Sequence, residues 1–177
     1  MEDTHPAEAR KNSILEYALV TVIFIFVVII GRFVYQGWRA GQEESLFKTQ
    51  VPALVIAGEN LSAVAQLDLG NAEFRSQLGA VKAQYDAVRA WPLKYTQANL
   101  EYVQALEGWA LAADVWDVKT ATASEYAYQD QVDLERISAY LGIEPSRFDF
   151  FTASDLLREL LYNANEHANN GKRLLGY

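Results

Sequence analysis

The chain has 177 residues, 51% hydrophobic and 21% charged, a balance that fits a folded protein and excludes a disordered one. Four acids and four bases cancel within residues 1–40, so the whole formal charge of −8 belongs to residues 41–177; an acidic domain repels phosphate backbones, which argues against nucleic acid as a partner. The absence of cysteine removes disulfides, thiolate metal sites, cysteine-ligated iron–sulfur clusters and covalently attached haem.

Residues 1–13 form a polar tail. Residues 14–38 are predicted to be a single transmembrane helix. Its centre, residues 17–31 (YALVTVIFIFVVIIG), carries no charge. These fifteen residues reach only ~22 Å as a helix, short of the ~30 Å hydrocarbon core, so the span extends at both ends. Arg32 snorkels to the headgroups, while Tyr17, Tyr35 and Trp38 lie where amphipathic rings prefer to sit. The many β-branched residues disfavour a helix in water, but lipid leaves the backbone no other way to satisfy its hydrogen bonds. The length of the run, the acids before it and the lack of an A-x-A-like site after it favour a retained anchor over a cleaved signal. Arg10 and Lys11 on one flank roughly balance Arg32, Arg39 and Lys48 on the other, so orientation is weakly specified. A short tail before an anchor usually stays inside, which puts the domain on the non-cytoplasmic, periplasmic side.

The string Ser13-Ile-Leu-Glu16-Tyr17-Ala-Leu-Val resembles the start of type IV and Flp-type pilins. That resemblance covers about twenty residues and implies that Glu16 neutralises the N-terminal amine of a neighbouring subunit in a fibre. It departs from the family at Lys11, which stands where the prepilin peptidase needs a small residue, usually glycine. Read without the resemblance, Glu16 is an interfacial acid beside the positive end of the helix dipole.

Residues 39–50 form a juxtamembrane collar; Gly37, just before it, and Gly41, within it, have GxxxG spacing outside the uncharged run. Residues 51–177 are expected to be a soluble domain of four to five helices. Pro52 suits the first turn of a helix over 52–67, burying Leu54, Val55, Leu61, Val64 and Leu67. Asp68 to Asn71 reads as a turn, with Asn71 capping a helix that runs to about Ala90 and carries the stripe Phe74, Leu78, Val81, Tyr85, Val88. Trp91-Pro92 breaks the pattern. A helix over about 92–118 follows, striped by Tyr102, Leu106, Trp109, Ala113 and Trp116 and widened by Leu93, Leu100, Val103, Ala110 and Leu111. After a weak break at 119–124, a fourth helix runs to Leu141, with Leu134, Ile137 and Leu141 inward and Gly142 as its stop. A loop over 143–152, broken by Pro145, leads to a last helix capped by Thr152 or Ser154. Leu157, Leu160, Leu161, Ala164 and Ala168 line its core face, and Asn169-Asn170-Gly171 ends it. No alternating strand pattern and no fixed-period repeat is present, so the fold class is all-α: one N-terminal transmembrane helix followed by a soluble bundle.

Little in the chain suggests catalysis, and no catalytic, cofactor-binding or metal-ligating residue is assigned. The two histidines are His5, in the tail, and His167, expected to be an ordinary surface residue without a partner. No HExxH, Walker, GxGxxG or EF-hand string occurs, and the only ExxH spacing is Glu2 with His5. The membrane segment has no histidine to ligate haem or a chlorophyll-type pigment. Most of the four Trp, ten Tyr and eight Phe fit the helix stripes. Tyr126, Tyr128 and the loop 144–151 fit less well, and three rings there are too many to turn inward. Arg147, Phe148, Phe150 and Phe151 are the candidate partner contacts, since interfaces enrich aromatics and arginine; the alternative is that Phe148 and Phe151 plug the bottom of the bundle and Phe150 alone is exposed. The expected function is a non-catalytic bitopic accessory subunit on a larger membrane complex, such as a photosynthetic reaction centre with its antenna or a respiratory complex. Its expected partners are other membrane subunits and the bilayer, with no small-molecule substrate evident. The alternatives are a pilin-like or secretion component of the envelope and a membrane-anchored adaptor.

Overall fold

The computed structural model describes residues 6–67, 70–88, 91–122 and 124–177, with side chains from residue 19 onward, Leu67 excepted. The described residues form helices joined by short turns and loops, without a strand: α1 (Pro6–Leu67), α2 (Asn71–Ala87), α3 (Thr96–Thr122), α4 (Leu134–Leu141) and α5 (Ala153–Leu175). Three short 3-10 turns punctuate them, at Leu93–Tyr95, Ala127–Asp130 and Pro145–Phe150. The chain forms two compact units, one reaching to Ser45 and the other Leu46–Tyr177.

In the first unit, α1 is already helical at Pro6, earlier than the sequence suggests. The Asp68 and Leu69 part of the expected turn, the side chains of Glu16, Tyr17 and Leu67, and the expected helix end at Ala90 lie outside the described residues.

The second unit is a helical bundle. Its first helix does not begin at Pro52, which lies inside α1. A mid-helix proline costs ~3 kcal/mol. Opposing it, Phe47 and Val51 are buried ahead of the proline. Each such burial contributes about 1.5–3 kcal/mol, enough to offset the lost hydrogen bond. The Phe47 ring stacks on Tyr95 at 4.7 Å and meets Trp91 edge-on at 5.2 Å. The bundle therefore starts before residue 51.

α2 buries Phe74 and Val81. Its N-cap is Gly70, at φ 99°, and not Asn71. A positive φ favours glycine because no Cβ clashes there. Asn71 instead turns its amide to Asp117 on α3. Arg75 donates to the same carboxylate, at 3.1 Å from Nε, and to Asp114 at 3.3 Å. Burial alone would raise the Asp117 carboxyl; the hydrogen bonds from Arg75 and Asn71 and the Arg75 charge outweigh it and hold the group below its ordinary range.

α3 starts at Thr96, after the 3-10 turn, with the Thr96 hydroxyl donating to the Leu93 carbonyl at 2.8 Å. It is the central helix and feeds two cores. Tyr102, Ala105, Trp109, Ala113 and Trp116 join the first, with residues of α1, α2 and α5. Leu111, Ala112 and Val115 join the second, with Tyr128, Ile137, Phe148, Leu156 and Leu160. Leu93, Leu100 and Val103, expected to widen the apolar face, are exposed at 93%, 51% and 42%. The face buried instead is built from small residues, because α5 lies close against it. A Cβ on Gly108 would come within 2.9 Å of the Ala164 Cβ, and one on Gly171 would stand 2.9 Å from the Tyr102 ring. Gly171 therefore serves close packing and not helix termination. α5 runs on to Leu175 and ends at Gly176, φ 89°.

The expected fourth helix divides into the 3-10 turn Ala127–Asp130 and a short α4. Asp133 caps α4 by accepting from the Arg136 N–H at 3.0 Å, and Gly142 ends it at φ 65°. α5 opens with a reciprocal box: Thr152 accepts from the Asp155 N–H at 3.1 Å while Asp155 accepts from the Thr152 N–H at 3.3 Å.

Candidate functional site

The apolar segment of α1 is a surface and not a core. Every large apolar residue from Leu19 to Tyr35 is exposed, between 47% for Ile29 and 71% for Phe33. The best 18-residue window has a mean hydropathy of 2.3, with none of it buried. α1 is thus long and apolar enough to cross a membrane. Tyr35 and Trp38 follow one turn apart, their rings 6.3 Å from each other and both well exposed. Arg32, within the run, is also exposed. Arg39 and Glu43 pair at 2.9 Å one turn further on.

The loop 144–151 divides its three rings. Phe148 is buried at 1% exposure and belongs to the second core. Phe151 is half-buried and meets Phe148 edge-on at 6.0 Å. Phe150 is 87% exposed, and Arg147 is exposed as well. Phe148 is therefore a core residue and not a partner contact, and Phe150 is the exposed ring, as the alternative reading of the loop has it. The reason lies in a residue that reading the sequence did not connect to the loop. The Tyr128 hydroxyl reaches the carbonyls of both Phe148 and Phe151, at 3.0 and 2.8 Å. Gln129 donates to the Phe148 carbonyl at 3.3 Å. Burial pushes the Tyr128 phenol up, so it stays a neutral donor. The pinned backbone turns residue 148 inward and leaves residue 150 outside.

His167 departs from expectation. It is half-buried, and its Nδ1 lies 2.7 Å from the Glu101 carboxylate on α3. The Tyr140 ring stands 6.3 Å away. A carboxylate can orient an imidazole for general-base work, but the neighbours of His167 are this carboxylate and the Tyr140 phenol, not a serine or threonine hydroxyl. Burial raises the Tyr140 phenol, and its hydroxyl has no hydrogen-bond partner among the described residues. Among the described residues, no group of three or more His, Asp and Glu is placed to hold a metal ion. A further polar hub is Asn165. Its Oδ1 accepts from Ser62 at 2.9 Å and from the Trp109 indole N–H at 3.0 Å. A buried indole needs such an acceptor, and Asn165 follows Ala164 of the expected core face, so this bond was within reach of the sequence.

Comparison with family models, with curated proteins and with solved structures finds no match to this chain. Its function is therefore read from its own residues.

Proposed function

We propose that this protein is a non-catalytic, single-pass accessory subunit of a larger membrane complex. The observation that carries the reading is the uniformly exposed apolar surface of α1 from Leu19 to Tyr35. Left in water, such a surface is costly, since each square ångström of apolar area removed from water contributes about 25 cal/mol. Lipid tails or the helices of other subunits would cover it. The helix restricts the bundle to a plane and raises its effective concentration at a partner there. Phe150 and Arg147, exposed on a loop fixed by Tyr128, support a contact of the bundle with that partner. A bioenergetic assembly, photosynthetic or respiratory, is the preferred host, with the bundle on the periplasmic side.

Two measurements test this. Carbonate-washed membranes should retain the intact chain, and a mild-detergent extract should carry it in one large particle with integral membrane subunits. Release by carbonate refutes the anchor. Retention in membranes with migration as a lone polypeptide refutes the accessory role. A chain found cut just before Asn12 would favour the pilin-like alternative.

A further inference from the structure

Within the second unit, α1 turns Phe47, Val51, Leu54, Val55 and Leu61 into the bundle. Its outward side is the stripe Leu46, Thr49, Ala53, Ile56, Asn60 and Ala63, all exposed. The steps alternate between three and four residues, the spacing of a heptad seam. None of the six is charged, and the two large ones, Leu46 and Ile56, are 61% and 56% exposed. The outward faces of the neighbouring helices are ionic: Glu73, Arg75, Lys82 and Asp86 on α2, Arg158, Glu166 and Arg173 on α5. A solvated helix face ordinarily carries such groups. On α1 the nearest charges, Lys48 and Glu59, lie on the flank of the stripe, and Glu59 pairs with Lys172 of α5. The Thr49 hydroxyl donates to the Leu46 carbonyl at 2.7 Å, so its proton is spent inside the helix.

From this we infer that the stripe is where a second copy of the chain packs, α1 against α1, parallel and in register. Charge is the first argument. Residues 41–177 carry the whole formal charge of −8, so two copies repel, and an uncharged face is where they approach without stripping water from an ion. Direction is the second, and here the inference rests on the membrane-anchor reading. Anchors that all cross the bilayer the same way hold their α1 helices parallel and in one plane. The third is Asn60. In a parallel, in-register pair each residue meets its own copy, and an amide both donates and accepts, so Asn60 satisfies Asn60. A single asparagine in such a seam sets register and strand number. A different partner would have to bring a matching polar group to that level, whereas a second copy brings it by symmetry. From Leu46 to Ala63 the seam is only ~27 Å long, and confinement to the bilayer raises the effective concentration that so short a contact needs.

The chain has no cysteine, so single cysteines report without background. Full-length Ala53→Cys, Ile56→Cys and Asn60→Cys are oxidised in membranes with copper phenanthroline and read on non-reducing gels. Lys48→Cys on the flank of α1 and Ala83→Cys on α2, both exposed, measure random collision. Facing positions of a parallel pair approach the ~4.4–6.8 Å between Cα atoms that a disulfide needs. The three stripe cysteines should form homodimers about tenfold faster than the two controls. Adding Asn60→Lys to Ile56→Cys sets two ammonium groups against each other and should remove that advantage. Thermal melts in mild detergent check that each variant is folded, and three stripe positions keep the test decisive if one is not. Equal rates at stripe and control positions, no homodimer, or capture of a different polypeptide by the stripe would overturn the inference. Carbonate washing of the same membranes separates the two readings: a retained chain without stripe dimers refutes the second-copy contact alone, and a released chain refutes the anchor and the contact with it.

Discussion

Phe148 and Phe150 are two residues apart in one loop and differ almost completely in burial, 1% against 87% exposed. Replacing each by alanine therefore separates folding from association. Phe148→Ala removes a ring from a core that also holds Tyr128, Ile137 and Leu156. The lost transfer energy and the cavity together cost about 3–5 kcal/mol. For a bundle of this size that lowers Tm on the order of 10 °C. Phe150→Ala removes a ring already in solvent, so its effect on stability stays within about 0.5 kcal/mol. If Phe150 is the anchor of an interface, its loss weakens association by ~2 kcal/mol, roughly thirtyfold in Kd. The assay pairs thermal melts of the full chain in mild detergent with recovery of the associated subunits from membranes. Phe150→Ala should melt with the parent and lose its partners. If it melts lower in proportion to the association it loses, the ring is structural and the loop is no interface.

Three further outcomes are expected. Ile25→Arg puts a charge at the centre of the apolar run, at about 2.5–3.5 kcal/mol of insertion energy, and should shift part of the chain into the carbonate supernatant; unchanged membrane retention would refute the anchor. Gly171→Ala drives a methyl against the Tyr102 ring and should lower stability by about 1–3 kcal/mol, read as a fall in the urea midpoint, whereas an exposed helix glycine would gain. Asp117 is held below its ordinary range in the fold, so its contribution is complete above the unfolded value of ~3.9 and is lost as pH falls through the lower folded value; Asp117→Asn should flatten the acid limb of the stability curve, and an unchanged limb would refute the pairing with Arg75.

Much of the bundle is legible in the sequence because its large side chains mark their own faces. Phe74, Val81, Tyr102, Trp109 and Trp116 all fall in the expected stripes and are buried. Gly142 is readable as a stop because an αL residue after a helix favours glycine. The second face of α3 is not legible. Ala105, Gly108 and Ala112 give no hydrophobic signal, yet all are buried because a neighbouring helix comes close. The same closeness turned Gly171 from an expected terminator into an interior residue, and it moved the α5 stripe so that Leu156 is buried and Leu157 only partly so. The candidate contacts are harder still. Glu101 meets His167 across 66 residues and Lys119 meets Ser154 across 35, distances set by helix packing and carried by no local spacing. Phe148 and Phe150 are indistinguishable by composition; only the Tyr128 hydrogen bonds decide which one turns in.

The two cores share α3 and α5 as a common wall, and this has a consequence for how the bundle comes apart. Neither core can open by itself without stripping one face from both helices. Amides in the middle of α3 should therefore exchange with solvent only when the whole unit unfolds. Those of the eight-residue α4, which lines just one side of the wall, should exchange through a smaller opening that leaves the first core intact. Any partner that seals the loop beside α4 would raise the protection of that small foldon first, and hydrogen exchange would then report binding even where no melting temperature changes.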